Sequence, residues 1–269
     1  MRLIFMCVWC ILFCLNVQAG NNNFTGFMFV DSQNKNNLIP ISQKYKSETP
    51  KINLENGNDL TIIIYSHGTD RPHKRENCTK SYNQIPQSLK ILKKADDTYF
   101  YYLCSKATDG SEAGSFIYKR IKEIDNVLDQ LISKGVRPEN IFLAGYSAGG
   151  WASLMMMDRV ENKFNSAIVF APAFSGSRSE INRYPVWRKE ARPRQIKQMT
   201  KAKIVKALIF AYKDDAFNRP QELIFLKKKY PSSVKLVGYT CNQGHATMHN
   251  DCKITKTKKI IKNYIENSR

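Results

Sequence analysis

Carboxylates are scarce in this 269-residue chain: 23 Asp and Glu stand against 42 Lys and Arg, a formal net charge of +19. The imbalance favours anionic partners or surfaces, such as acidic polysaccharide, lipid headgroups or carboxylate-bearing substrates. Solubility or a general bias toward lysine explains it too, so charge alone assigns no partner. Basic and aromatic residues are not interleaved at a fixed spacing, which argues against nucleic acid. Outside the first 19 residues, where Cys7 and Cys10 stand in an apolar run, the chain has no CxxC and no His/Cys cluster with metal-ligand spacing; a zinc site is not expected, and no cofactor is called for. Internal repeats and Pro/Gly/Ser-rich linkers are also lacking. With 42% hydrophobic and 11% aromatic residues, the chain can still build a real core. Its length suits one large α/β domain, or at most two small ones.

The apolar stretch that opens the chain, Leu3 to Leu15 after Arg2, falls short of the about 20 residues a membrane span needs. Val17-Gln18-Ala19 follows as a small-x-small cleavage pattern. Residues 1–19 read as a secretory signal peptide, with an uncleaved anchor as the alternative. A lipoprotein reading through Cys14 is poor, because bulky Phe13 stands where a small residue is expected. The mature chain, 20–269, then has no transmembrane segment and is secreted or periplasmic. Cys7, Cys10 and Cys14 leave with the signal, while Cys78, Cys104, Cys241 and Cys252 remain. Four cysteines in an exported chain allow three disulfide connectivities; the pairs expected are Cys241–Cys252 and Cys78–Cys104. Asn23-Phe24-Thr25 and Asn77-Cys78-Thr79 match glycosylation acceptors, a weak signal that depends on the host.

Strands are expected at Phe24–Asp31, Leu38–Tyr45, from Leu60 through LTIIIYSHG, and at Thr98–Cys104, Asn140–Ala144, Ala167–Ala171, Ala207–Tyr212 and Val234–Tyr239. Helices are expected near Ile85–Lys94 and at Phe116–Lys134, Ala148–Val160, Pro220–Tyr230 and Thr255–Asn267. Strand–helix alternation of this kind implies βαβ units, a mainly parallel sheet and helices on both faces. Functional groups then collect beyond the carboxyl ends of the strands.

The stretch IFLAGYSAGGWASL, residues 141–154, drives an apolar strand into Gly145-Tyr146-Ser147-Ala148-Gly149 and resumes as a helix without a loop. A serine between glycines at such a turn fits a nucleophile elbow, and it also fits a tight turn whose serine caps the helix. Lys213-Asp214-Asp215 and Gly244-His245 follow two later strands, so Ser, Asp and His come in the chain order of an α/β-hydrolase. Asp214-Asp215 alone would also serve as a turn and cap before Arg219-Pro220. His249 is an alternative base to His245, but Gly244 favours the latter.

From about Leu60 onward the chain resembles the α/β-hydrolase superfamily, in particular its small esterase, dienelactone-hydrolase-like and polyester-depolymerase-like branches. The residues that carry the resemblance are Gly145-Tyr146-Ser147-Ala148-Gly149-Gly150, His67-Gly68-Thr69, Asp214 and Gly244-His245. It implies an α/β-hydrolase fold and a Ser147–His245–Asp214 triad. Ala211-Tyr212-Lys213-Asp214 matches the family's Gly-x-x-Asp strand end with Ala for Gly, which favours Asp214 over Asp215. It also implies an oxyanion hole from the Ala148 and Thr69 amides, with His67 positioning the loop. A Cys241–Cys252 bridge would clip the histidine loop. The expected substrate is a small or polymeric carboxylic ester or lactone; a non-catalytic binding module or an acyltransferase on the same fold are alternatives. Residues 172–205 form a short lid-like insertion rich in arginine. Arg183 and Arg188 with Tyr184, Trp187 and, beside the serine, Tyr146 are candidates to bind an anionic or aromatic substrate. A solvated basic surface accounts for the insertion equally well.

Overall fold

The runs TIIIYS, IFLAGY and ALIFAY have no polar face to give to solvent, and each is buried along its whole length. Strands that are apolar on both sides belong inside a parallel sheet covered by helices. In the computed structural model they take that place. The structure describes residues 25–30, 38–40, 60–69, 78, 81–90, 92, 98–105, 107, 115–160, 162–173, 177–180, 182, 185–249 and 252–268. Among these, strands β1 (Gly26–Val30), β2 (Leu38–Pro40), β3 (Thr61–Ser66), β4 (Thr98–Leu103), β5 (Ile141–Tyr146), β6 (Ser166–Phe170), β7 (Ala207–Tyr212) and β8 (Val234–Tyr239) form one sheet. Their order is β2-β1-β4-β3-β5-β6-β7-β8. The six strands from β3 to β8 are parallel, while β1 runs antiparallel to both β4 and β2.

The helices are α1 (Gln87–Lys90), α2 (Ser115–Ser133), α3 (Ala148–Met155), α4 (Met157–Val160), α5 (Arg192–Met199), α6 (Pro220–Lys229) and α7 (Ile254–Glu266). The period-2 alternation of each strand sends side chains to two separate cores. Ile62, Ile64, Leu143 and Ile209 meet the apolar sides of α2, α3 and α6 on one face. Ile63, Phe142, Phe210 and Leu89 of α1 meet Ile261 and Ile265 of α7 on the other. The α/β layering expected from the sequence is therefore present.

Several boundaries differ. Strand β5 reaches Tyr146, two residues beyond its expected end, because Gly145 and Tyr146 still pair with Val169 and Phe170. The helix expected over Ala148–Val160 is two helices meeting at Met156. The insertion, given no elements from its sequence pattern, contains a π-helical turn, Val186–Ala191, running directly into α5. Of the helix expected near Ile85–Lys94, α1 is the described α-helical part. The expected signal peptide 1–19, Asn23 and Asn77 of the glycosylation motifs, Arg183 and Tyr184 lie outside the described residues. No helix among the described residues is long and apolar enough to cross a membrane.

Candidate active site

Strand β5 enters helix α3 through one residue, Ser147, which sits at φ 51° and ψ −120°. A non-glycine residue held in this region costs on the order of 1–3 kcal/mol, so its surroundings must impose it. The Ser147 amide donates to the Phe170 carbonyl at 3.1 Å, and the Ser147 carbonyl accepts from the Trp151 and Ala173 amides at 2.9 and 3.1 Å. The glycines let this turn pack. A Cβ on Gly149 would lie 2.0 Å from the Ser66 carbonyl oxygen, and one on Gly145 would lie 2.6 Å from the Gly149 carbonyl carbon. Neither contact is sterically possible, which is why small residues flank the serine.

His245 Nε2 lies 2.9 Å from Ser147 Oγ, and His245 Nδ1 lies 2.8 Å from Asp215 Oδ2. The carboxylate behind the imidazole is thus Asp215; the sequence reading favoured Asp214, and the geometry corrects it. The Asp215 amide donates to the Tyr212 carbonyl at 3.2 Å, a turn that closes after Asp214 and carries Asp215 under the end of the sheet. There its side chain is fully buried, and Oδ1 accepts the Phe217 amide at 2.6 Å. Asp214 is part-exposed and accepts the Gly244 amide, holding the start of the histidine loop. Because an ionised carboxylate only accepts, Nδ1 of His245 carries the proton and Nε2 is left to accept from the Ser147 hydroxyl. The imidazole is held between Tyr146 and Phe217, with ring centroids 5.0 and 4.4 Å away. The alternative base His249 falls in the Gly244–His249 3-10 turn.

Beside the serine, the loop after β3 is fixed by two buried groups. His67 Nδ1 bonds the Gly68 carbonyl at 2.5 Å, and its Nε2 accepts the Ser105 amide at 3.0 Å. Burial, with the Arg120 charge adding to it, pushes the His67 imidazole down to about 3, so the ring is neutral and serves to hold the loop. Arg120 is fully buried. Its guanidinium donates to the His67 carbonyl, to the Gly68 carbonyl at 3.2 Å and to the Ala107 carbonyl at 3.0 Å. These bonds fix residues 67 and 68, and the His67 carbonyl lies against Gly149 of α3; Thr69, the expected second oxyanion donor, follows directly. Arg120 was missed from sequence, yet it left a signal. It is a lone cation on the apolar face formed by Ile117, Ile121, Ile124 and Leu128.

The Cys78–Cys104 and Cys241–Cys252 pairs are bridged, as the sequence led us to expect. His67, Cys78 and Cys104 come together, but the two sulfurs bond each other and His67 Nε2 holds the Ser105 amide. That set therefore does not offer three metal ligands. Two of the candidate substrate contacts are engaged within the protein. Arg188 is turned away to Glu222 Oε1 at 3.0 Å and the Phe217 carbonyl, with its side chain 10% exposed, so it is not free to take a substrate carboxylate. Tyr146 is buried and backs the imidazole. Trp187 lies in the π-helical turn.

The sheet order, the strand–serine–helix turn and the Ser–His–Asp contact together define an α/β-hydrolase fold. Solved structures agree. The chain superposes on the structure of DcsB in complex with its substrate analogue, with a TM-score of 0.59 and 12% identity over 78% of this chain and 91% of the other. It superposes on a monoacylglycerol lipase of Paleococcus ferrophilus with a TM-score of 0.56 and 11% identity over 78% and 95% of the two chains. For esterase 2 of Thermogutta terrifontis the TM-score is 0.56 and the identity 14%, over 78% and 84%. No family model matches the sequence, and no curated protein matches it by sequence.

Proposed function

We propose that the protein is an exported serine hydrolase that cleaves carboxylic esters or lactones through an acyl-enzyme. The observation that carries this reading is the continuous relay from Asp215 through His245 to Ser147, at 2.8 and 2.9 Å, on a strained elbow. A serine hydroxyl is a weak nucleophile at neutral pH and needs an adjacent base. In the proposed reaction His245 Nε2 takes the hydroxyl proton as Ser147 Oγ bonds the substrate carbonyl carbon. Asp215 meanwhile stabilises the imidazolium and fixes its tautomer. The tetrahedral oxyanion is met by the Ala148 and Thr69 amides; losing one such donor typically costs about 10²–10³ in rate. His245 returns the proton to the departing alkoxide as the C–O bond breaks. Water then attacks the acyl-Ser147 ester, losing its proton to the same nitrogen; the C–Oγ bond breaks, Ser147 Oγ takes that proton back, and the acid is released. The preference for esters or lactones comes from the resemblance of the motifs and from the small size of the insertion. Export is supported by the signal-like N-terminus and the two disulfide pairs.

The test is fluorophosphonate labelling of the mature, disulfide-intact protein with an intact-mass readout, wild type against Ser147→Ala. A single adduct that vanishes in the variant supports the reading and justifies a screen of short-chain esters and lactones. No adduct on folded protein would turn the assignment to a non-catalytic binding module.

A further inference from the structure

Part of the basic charge of the arginine-rich insertion is tied down within the protein. Three of its arginines converge on Glu222 and on the turn that carries Asp215. Arg178 Nη1 donates to Glu222 Oε2 at 2.8 Å, its Nη2 to the Asp215 carbonyl, and its main-chain amide to the Ala216 carbonyl at 2.9 Å. Arg188 Nη1 reaches Glu222 Oε1 at 3.0 Å and its Nη2 the Phe217 carbonyl. Arg192 donates to the Glu222 main-chain carbonyl at 2.7 Å. Glu222 Oε2 also takes the Arg219 amide at 2.9 Å, closing the first turn of α6. Burial alone would raise the Glu222 carboxyl, but the Arg219 amide and the Arg188 and Arg178 guanidiniums outweigh it and hold the group below its ordinary range. One carboxylate thereby sets two guanidinium forks, and each fork spends its second N–H on the backbone of residues 215–217.

We propose that Glu222, with Arg178 and Arg188, is the positioning centre of the acid turn. The insertion then acts as a clamp that keeps the Asp215 carboxylate and the Phe217 ring against His245. The proposal deepens the serine-hydrolase reading and rests on it for the rate effects, although the clamp itself has a signature that needs no turnover. A planar fork can hold Glu222 and a carbonyl together, whereas an ammonium is a point charge that cannot reproduce the two-sided geometry. Placement errors of about 1 Å at a reacting group cost about 10²-fold in rate.

The experiment compares wild type, Glu222→Gln, Arg188→Lys and Asp215→Asn by proton NMR of the imidazole N–H that His245 donates to Asp215. Hydrolysis of a chromogenic short-chain ester and the melting temperature are measured alongside. The downfield N–H signal is expected in wild type, absent in Asp215→Asn, and exchange-broadened or shifted in Glu222→Gln and Arg188→Lys, with both variants still melting cooperatively. The expected kinetic signature is a kcat about 10²-fold lower in Glu222→Gln with KM nearly unchanged. Glu222→Gln should cost little more once Asp215 is already Asn, since both act through one contact. An unaltered N–H signal in Glu222→Gln and Arg188→Lys overturns the clamp. If Glu222→Gln does not fold, Arg188→Lys, which keeps the charge, decides the matter by the same signal. A wild type that shows the N–H signal but hydrolyses nothing and takes no fluorophosphonate overturns the hydrolase reading, while the NMR comparison still judges the clamp.

Discussion

Asp214 and Asp215 are adjacent carboxylates with different partners, and substituting each in turn separates their roles. Asp215→Asn puts an amide that can donate to Nδ1 where an acceptor-only carboxylate fixed the His245 tautomer, so kcat on an ester should fall by about 10⁴-fold. Asp214→Asn loses a charged acceptor for the Gly244 amide. It should cost about 1.5–3 kcal/mol of stability at most and leave kcat within an order of magnitude. Steady-state kinetics on the two variants decide between the residues, and a larger loss at Asp214 would reverse the assignment. His67 gives a second prediction at this scale. Its folded value near 3 lies below the ordinary 6.5, so below pH 6.5 the unfolded chain binds a proton that the folded chain refuses. Stability from this residue is full above pH 6.5 and declines as pH falls toward 3, by about 1.4 kcal/mol per pH unit. Urea unfolding between pH 7 and 5 should show this slope in wild type and a shallower one in His67→Gln.

Among the elements, the close approach of the β5–α3 turn to the end of β3 dictates the composition of both. The Gly149 Cα lies so near the Ser66 and His67 carbonyls that Gly149→Ala would force helix and loop apart. The expected outcome is a large loss of fluorophosphonate labelling rate together with a lower melting temperature. A variant that labelled at the wild-type rate would show that elbow and loop are not held in mutual register. The sequence made this element legible, because glycines at 145 and 149 on either side of a serine mean a sharp turn whatever the fold. The acid turn was less legible. Two consecutive aspartates differ only in which way a turn carries them, and that depends on the Asp215 amide reaching the Tyr212 carbonyl and on Phe217 capping Oδ1. The roles of Arg178 and Arg188 were illegible for a related reason. Their partners, Glu222 and the carbonyls of 215–217, lie 29–44 residues away in sequence, so composition showed only an unpaired basic run.

At the scale of the whole molecule, a charge of +19 on 269 residues sets up self-repulsion that compact packing must overcome. The described ion pairs do not cancel it. Glu222 serves two arginines at once, and Lys163 takes both Asp125 and Asp129, so opposite charges are consumed in small local clusters, while among the described residues Lys262, with Glu266, is the one lysine of α6 and α7 in an ion pair. Salt acts on these two populations differently. Exposed like charges are screened over about 10 Å at 0.1 M ionic strength, whereas the half-buried Glu222 cluster is screened much less. Raising sodium chloride from about 10 to 200 mM should therefore increase the melting temperature, since screening relieves the long-range repulsion before it weakens the clamp. Potassium glutamate at equal ionic strength should act alike if screening is the cause, and a gain seen only with chloride would mean specific anion binding. A melting temperature that fell with salt would mean that local ion pairs outweigh the net charge. In that case the insertion, tied down by the two Glu222 pairs, would be the first segment to loosen, and the rate of serine labelling would fall with it.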